Sequence, residues 1–207
     1  MSESKDTKRR RREEARLARQ RELRRRARRR RIRSVGIAVG ATALVALVGL
    51  GLFRSSSGGV SFSGDIRSGG TLRSLKLPAL EGAGSFDYAE HRSQPLVINF
   101  FASWCPNCVA EMPAFQEVHQ RLGGRVEFLG VSQSDAKSAS ITLARQAGIR
   151  YLTAIDANGD FFRGTGSTGM PTTLFVRPGG RVAYVQTGAL DAASLQQEIA
   201  SYLGVTA

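Results

Sequence analysis

The chain has 207 residues, 42% of them hydrophobic, with two cysteines and a formal net charge of +13. Residues 1–34 hold 17 Lys/Arg against 5 Asp/Glu, whereas the rest of the chain holds 13 against 12. The body of the protein is therefore nearly neutral, which excludes a basic nucleic-acid-binding domain and leaves one domain of ordinary size with appendages.

The Arg-rich tail, residues 1–34, offers little apolar surface and no aromatic residue on which a base could stack. It reads as a solvated charge run, disordered or partly helical, that sets membrane topology and is drawn to anionic headgroups; nucleic acid is not an expected partner. Residues 35–53, VGIAVGATALVALVGLGLF, carry no charge and no proline. As a helix they would span about 28 Å, close to the ~30 Å hydrocarbon core, so one N-terminal transmembrane helix in contact with lipid is expected. A cleavable signal peptide is the rival reading. The long basic leader and the lack of an A-x-A pattern before Arg54 favour an uncleaved anchor. The positive-inside rule then leaves the tail in the cytoplasm and the chain from residue 54 outside, a single-pass arrangement in the plasma membrane.

Residues 54–70, RSSSGGVSFSGDIRSGG, are Ser/Gly-rich and predict a flexible linker ahead of a folded domain at 71–207. Leu72, Leu75 and Leu77 before Pro78, with Phe86 and Tyr88 after a Gly-rich turn, predict a hairpin. The apolar run Leu96 to Phe101 predicts a buried strand, and a helix follows to about Leu122, where Gly123 and Gly124 stop it. Pro113 is expected to kink that helix or end its first section. Further on come a strand at Val126 to Val131, a helix over 136–147 capped by Gly148, and a strand over 151–155. A turn at 156–160 and an irregular Gly-rich stretch at 161–169 precede a strand at Thr172 to Val176. Pro178-Gly179-Gly180 turns this into Val182 to Gln186, and Asp191 caps a last helix to about Leu203. The order predicts an α/β domain with a mixed central sheet flanked by helices on both faces.

The only cysteines, Cys105 and Cys108, are spaced C-x-x-C between the predicted strand and helix. A strand ending near Ala102 and a helix starting near Pro106 put Cys105 at a helix N-terminus, where free N–H groups and the dipole stabilise a thiolate. Pro106 suits the first helical position, and Trp104 sets an aromatic face beside the sulfur. A zinc half-site and an inert buried pair are the competing readings. A closed zinc site needs four ligands, and only His91 and His119 remain as soft candidates, so neither a metal nor any other cofactor is expected. Both histidines read as surface residues, His91 in a loop.

W-C-x-x-C at a strand-to-helix turn, followed by Gly-Met-Pro-Thr-Thr before a strand, resembles the thioredoxin fold. More narrowly it is similar to the membrane-anchored TlpA/ResA/DsbE-type thiol–disulfide oxidoreductases, over about residues 70–204. The resemblance implies that Cys105 attacks a substrate disulfide and Cys108 resolves the mixed disulfide, the pair forming a redox-active disulfide. It maps the family's cis-proline to Pro171 and implies substrate binding by Trp104, Pro106, Met170 and Pro171. The acidic residue three places after the second cysteine is Glu111, a candidate proton carrier alongside the cysteines; a solvent-facing helix glutamate is the bland alternative. Asn99 occupies the position, six before the first cysteine, where thioredoxin carries a buried carboxylate, and an amide cannot relay a proton.

The function implied is reduction of specific protein disulfides outside the cytoplasm, as in apocytochrome c before haem attachment, with electrons from a membrane donor of the DsbD/CcdA type. An oxidant of exported proteins is the first alternative. A peroxiredoxin-like peroxidase, whose P-x-x-x-T-x-x-C pattern is missing here, and a non-enzymatic thioredoxin-fold binding module are more distant ones.

Overall fold

A computed structural model describes residues 59–206. The expected basic tail, the apolar span at 35–53 and the first part of the linker lie outside the described residues. Among the described residues no helix is long and apolar enough to cross a membrane.

The centre of the domain is β4, Leu96–Phe101, every residue of which is buried. It pairs in parallel with β5 (Glu127–Gln133), and β5 in parallel with β6 (Leu152–Asp156). On its other side β4 pairs antiparallel with β7 (Thr172–Val176), which pairs antiparallel with β8 (Val182–Thr187). The order β6-β5-β4-β7-β8 is the expected mixed sheet. A strand covered on both faces reads as a continuous apolar run, which is why LVINFF shows no polar alternation apart from Asn99.

Successive side chains of β4 point to opposite faces. Leu96, Ile98 and Phe100 join the core beneath a second, three-stranded sheet of β1 (Ser61–Asp65), β2 (Thr71–Pro78) and β3 (Ser85–Asp87). Val97 joins the opposite core, with Phe115, Val118 and Leu122 of α2 (Pro106–Leu122) and Leu195 and Ile199 of α5 (Ala192–Leu203). The three-stranded sheet, with α1 (Tyr88–His91) and α4 (Asp160–Gly164) contributing Tyr88 and Phe161, covers the face that the sequence reading assigns to helices. Leu80 N donates to Thr153 O at 2.9 Å and Val182 N to Gly70 O at 3.0 Å, tying that sheet to both edges of the main one.

Four local expectations are corrected. Residues 61–65, assigned to the linker, form β1, because Ser61–Asp65 finds the free edge of β2. Of the two outcomes expected at Pro113, a kink or an end to the first section, the second is excluded, because α2 runs through it. The carbonyl that loses its donor belongs to Val109, and both residues lie on the solvent side, where water can replace the bond. The stretch at 161–169 is not wholly irregular: its start belongs to α4. His91 ends α1 rather than sitting in a loop, stacked on Phe86. His119 is half-buried, its ring edge-on to Phe128 and Tyr151, so neither histidine is a plain surface residue.

Candidate active site

The turn between β4 and α2 carries the two cysteines. Cys105 has extended backbone and is the N-cap of α2, with Pro106 at the first helical position. Its sulfur accepts a hydrogen bond from Cys108 N at 3.2 Å, so one of the free amides of the helix start already points at it. The two cysteines are joined as a disulfide. Cys105 is 5% exposed and Cys108 fully buried, so an incoming sulfur can reach only the first.

The helix then buries one stripe at 3.6-residue spacing: Cys108, Glu111, Met112, Phe115, Val118 and Leu122. Glu111 is therefore not the solvent-facing residue of the bland alternative but is 3% exposed. Its Oε1 accepts from Asn99 Nδ2 at 2.8 Å, and its Oε2 accepts from Leu190 N at 3.0 Å. Asn99 points to the α2 face of β4, where its amide also approaches Thr173 Oγ1 at 3.4 Å. Burial pushes the Glu111 carboxyl up to about 7, against the opposing pull of the Asn99 and Leu190 hydrogen bonds. A carboxyl that titrates near neutrality can take up or release a proton at working pH, and this one lies one helical turn beyond Cys108. The phenol of Tyr151, buried nearby, is itself raised by burial and by the Glu111 charge.

The loop facing the disulfide supplies the rest. The Met170–Pro171 bond is cis, as the resemblance implies. Met170 lines a cleft of about 460 Å³ together with Trp104, Cys105 and Pro106. Pro171 itself is buried beneath it, and its carbonyl accepts from Gly188 N at 2.9 Å. Of the residues singled out from sequence, Trp104, Cys105, Pro106 and Met170 thus line the cleft, and Pro171 is buried in the loop beside Met170. Cys108 and Glu111 do not line it and are buried on α2.

Sequence reasoning missed the opposite wall: Gln133, Ser134, Phe162 and Thr168 also line the cleft. They lie 25 or more positions from the cysteines and belong to no motif; β5 and α4 bring them there. Gly159, with φ 71°, permits this approach, because a Cβ there would meet Gln133 Nε2 and Ser134 Oγ at 2.8 Å. Missed as well was Asp135, whose carboxylate accepts from Ser103 N (2.7 Å), Ser103 Oγ (2.9 Å), Ala136 N (2.8 Å) and Ser140 Oγ (2.7 Å). Burial pushes this carboxyl up, but the four donors together hold it below its ordinary value. The carbonyl of the preceding residue, Ser134, accepts from Trp104 Nε1 at 3.2 Å, so the connection from β5 to α3 (Lys137–Gln146) clamps the turn that carries Cys105.

The Redoxin family profile matches residues 67–202. The thiol–disulfide oxidoreductase ResA of Geobacillus thermodenitrificans is 27% identical over 136 residues, covering 64% of this chain and 76% of that protein. The thiol:disulfide interchange protein DsbE of Vibrio cholerae is 26% identical over 134 residues, 64% of this chain and 71% of that one. Among solved structures, a thiol:disulfide interchange protein of the thioredoxin family from Chlorobium tepidum superposes with a TM-score of 0.57 at 25% identity, over 63% of this chain and 94% of its own.

Proposed function

The chain belongs to the Redoxin family and is a thiol–disulfide oxidoreductase of the ResA/DsbE type; from that premise we propose that it is a membrane-tethered reductant of specific protein disulfides outside the cytoplasm. The reduced Cys105 thiolate attacks one sulfur of a substrate disulfide, forming a mixed disulfide and releasing the other sulfur as a thiolate. Cys108, deprotonated, attacks Cys105 Sγ; the Cys105–Cys108 bond forms, the mixed disulfide breaks, and the second substrate sulfur leaves and takes up a proton. Glu111 accepts the Cys108 proton in this step.

The observation that carries the exchange reading is the Cys105–Cys108 disulfide at the start of α2, with Cys105 alone reaching the surface; the buried Glu111 carboxyl one turn behind it supports proton transfer in the same site. The uncharged run at 35–53 supports the tether, and tethering raises the local concentration of membrane-bound partners. By analogy with ResA and DsbE the substrate class includes apocytochrome c, re-reduction coming from a membrane dithiol donor of the DsbD/CcdA type. The reduction potential of Cys105/Cys108 tests the direction. A value at or below about −230 mV, towards thioredoxin's ~−270 mV, fits a reductant; a value near the ~−120 mV of DsbA replaces it with an oxidant of exported proteins.

A further inference from the structure

We propose that Met170 is an oxidation site that controls the exchange reaction: peroxide converts its thioether to the sulfoxide, exchange slows, and a methionine sulfoxide reductase restores it. The inference rests on the thiol–disulfide exchange reading above and adds a means of control to it. The described residues hold two methionines. Met112 is fully buried on α2, whereas Met170 is half-buried and lines the cleft beside Cys105. A cleft of about 460 Å³ readily admits peroxide, a molecule little larger than water. With the two cysteines joined and Cys108 fully buried, neither offers a thiol to an oxidant. Among the described residues, the oxidisable sulfur left at the cleft in this state is the Met170 thioether.

The Met170 sulfur attacks one peroxide oxygen, an S–O bond forms as the O–O bond breaks, and the second oxygen takes the proton of the first and leaves as water. Sulfur loses two electrons and peroxide gains them. The product is polar where the thioether was apolar. Met170 packs against the cluster that holds Cys105, Cys108, Phe101 and Ala102, so its side chain is part of the apolar cover of the disulfide. The loop beneath it is pinned: Gly188 N donates to Pro171 O at 2.9 Å and Thr172 Oγ1 to Gly169 O at 2.7 Å. The N–H donors of the inner walls are engaged as well, Trp104 Nε1 with Ser134 O at 3.2 Å and Gln133 Nε2 with Ser134 Oγ at 2.9 Å. A sulfoxide oxygen therefore finds no free donor in the inner wall, stays turned to water, and brings its hydration to the approach over Cys105.

The test treats the disulfide form of the full-length chain with hydrogen peroxide, removes the peroxide, and reduces the cysteines with dithiothreitol, which leaves a sulfoxide in place. After desalting, the second-order rate constant for exchange with insulin is measured. Peptide mapping is expected to find one added oxygen on Met170 and none on Met112, and the rate constant to fall roughly fivefold or more. The two methionine sulfoxide reductases, one for each epimer, should restore it. In Met170→Leu the rate after peroxide is compared with the rate before, in the same protein, and the ratio should stay near one whatever the basal rate; Met1 is common to both proteins. Oxygen on Met112 ahead of Met170, a Met170 sulfoxide with an undiminished rate, a loss not reversed by the reductases, or an equal loss in Met170→Leu each overturns the inference while leaving exchange intact. Reductase rescue reads the unsubstituted chain alone, so it decides the matter where the variant fails to fold. An untreated reduced chain that does not react with insulin overturns the exchange reading itself.

Discussion

The amide of Asn99 donates to the carboxyl of Glu111 at 2.8 Å, so the one polar residue of the central strand and the one acid of the buried helix stripe hold each other beneath the disulfide. Twelve positions apart in the chain, they meet because β4 and α2 pack face to face directly after the Cys105 turn. An amide here favours the charged form of Glu111, whereas burial disfavours it. The balance is what leaves the carboxyl near neutrality.

Asn99→Ala removes that donor. With burial then less opposed, the Glu111 carboxyl moves further up, by about one pH unit for loss of a hydrogen bond to a charged group. The pH profile of thiol exchange should shift in the same direction. A profile that stays in place would detach Glu111 from the proton chemistry.

Glu111→Gln separates stability from catalysis. A carboxyl raised from 4.5 to about 7 keeps its proton longer in the folded state than in the unfolded one. Native stability is thus fullest below about pH 4.5 and falls as pH rises through about 7, by at most ~3 kcal/mol. The Gln variant should lack this decline and unfold later in urea at pH 8 than at present, the gain trimmed by the lost acceptor for Leu190 N. Its exchange rate at neutral pH should fall by roughly 100-fold or more, the usual worth of a positioned proton carrier.

Asp135→Asn tests the clamp on the active-site turn. With a depressed carboxyl, Asp135 stabilises the fold above its unfolded value of 3.8 and loses that contribution as pH drops through its lower folded value. The substitution should cost about 1.5–3 kcal/mol at pH 7, the worth of a hydrogen bond to a charged group. Urea unfolding monitored at pH 7 and at pH 3 checks it, the difference between the proteins narrowing at the lower pH.

Cys108→Ser should trap the mixed disulfide, seen as a covalent adduct of Cys105 on a non-reducing gel, and Cys105→Ser should give no adduct through the buried Cys108. Adducts in both variants would contradict the assignment of attack to Cys105.

Trp104→Ala removes an exposed ring that makes one hydrogen bond, to Ser134 O. Stability should change by less than about 1 kcal/mol. The kcat/KM for a protein disulfide should drop several-fold while hydroxyethyl disulfide is scarcely affected. Equal losses on both substrates would make the ring part of the sulfur chemistry rather than of substrate contact.

Much of this was written locally. A fully apolar LVINFF run interrupted by one Asn, a Pro placed to start a helix, and a Gly-Gly pair to stop it are signals whose physics acts within a few residues. They located β4, α2 and the position of Cys105 between them without any knowledge of packing. Helical spacing also holds a clue to Glu111, since it falls on the stripe of Cys108, Met112 and Phe115. Only packing, however, settles how deep that stripe lies and therefore where the carboxyl titrates. Strand β1 has no such signature: SFSGD is short, polar and Gly-interrupted, and becomes a strand only because β2 offers an open edge. The opposite wall of the cleft was likewise beyond local reading. Gln133, Phe162 and Thr168 carry no motif, and their place beside Cys105 follows from the order of the strands in the sheet. The sequence by itself determined the dithiol, the turn that presents it and the helix behind it, because these depend on neighbours in the chain. The acidity of Glu111, the clamp through Asp135 and the character of the cleft were decided by the tertiary structure, because burial and charge depend on which distant residues exclude water.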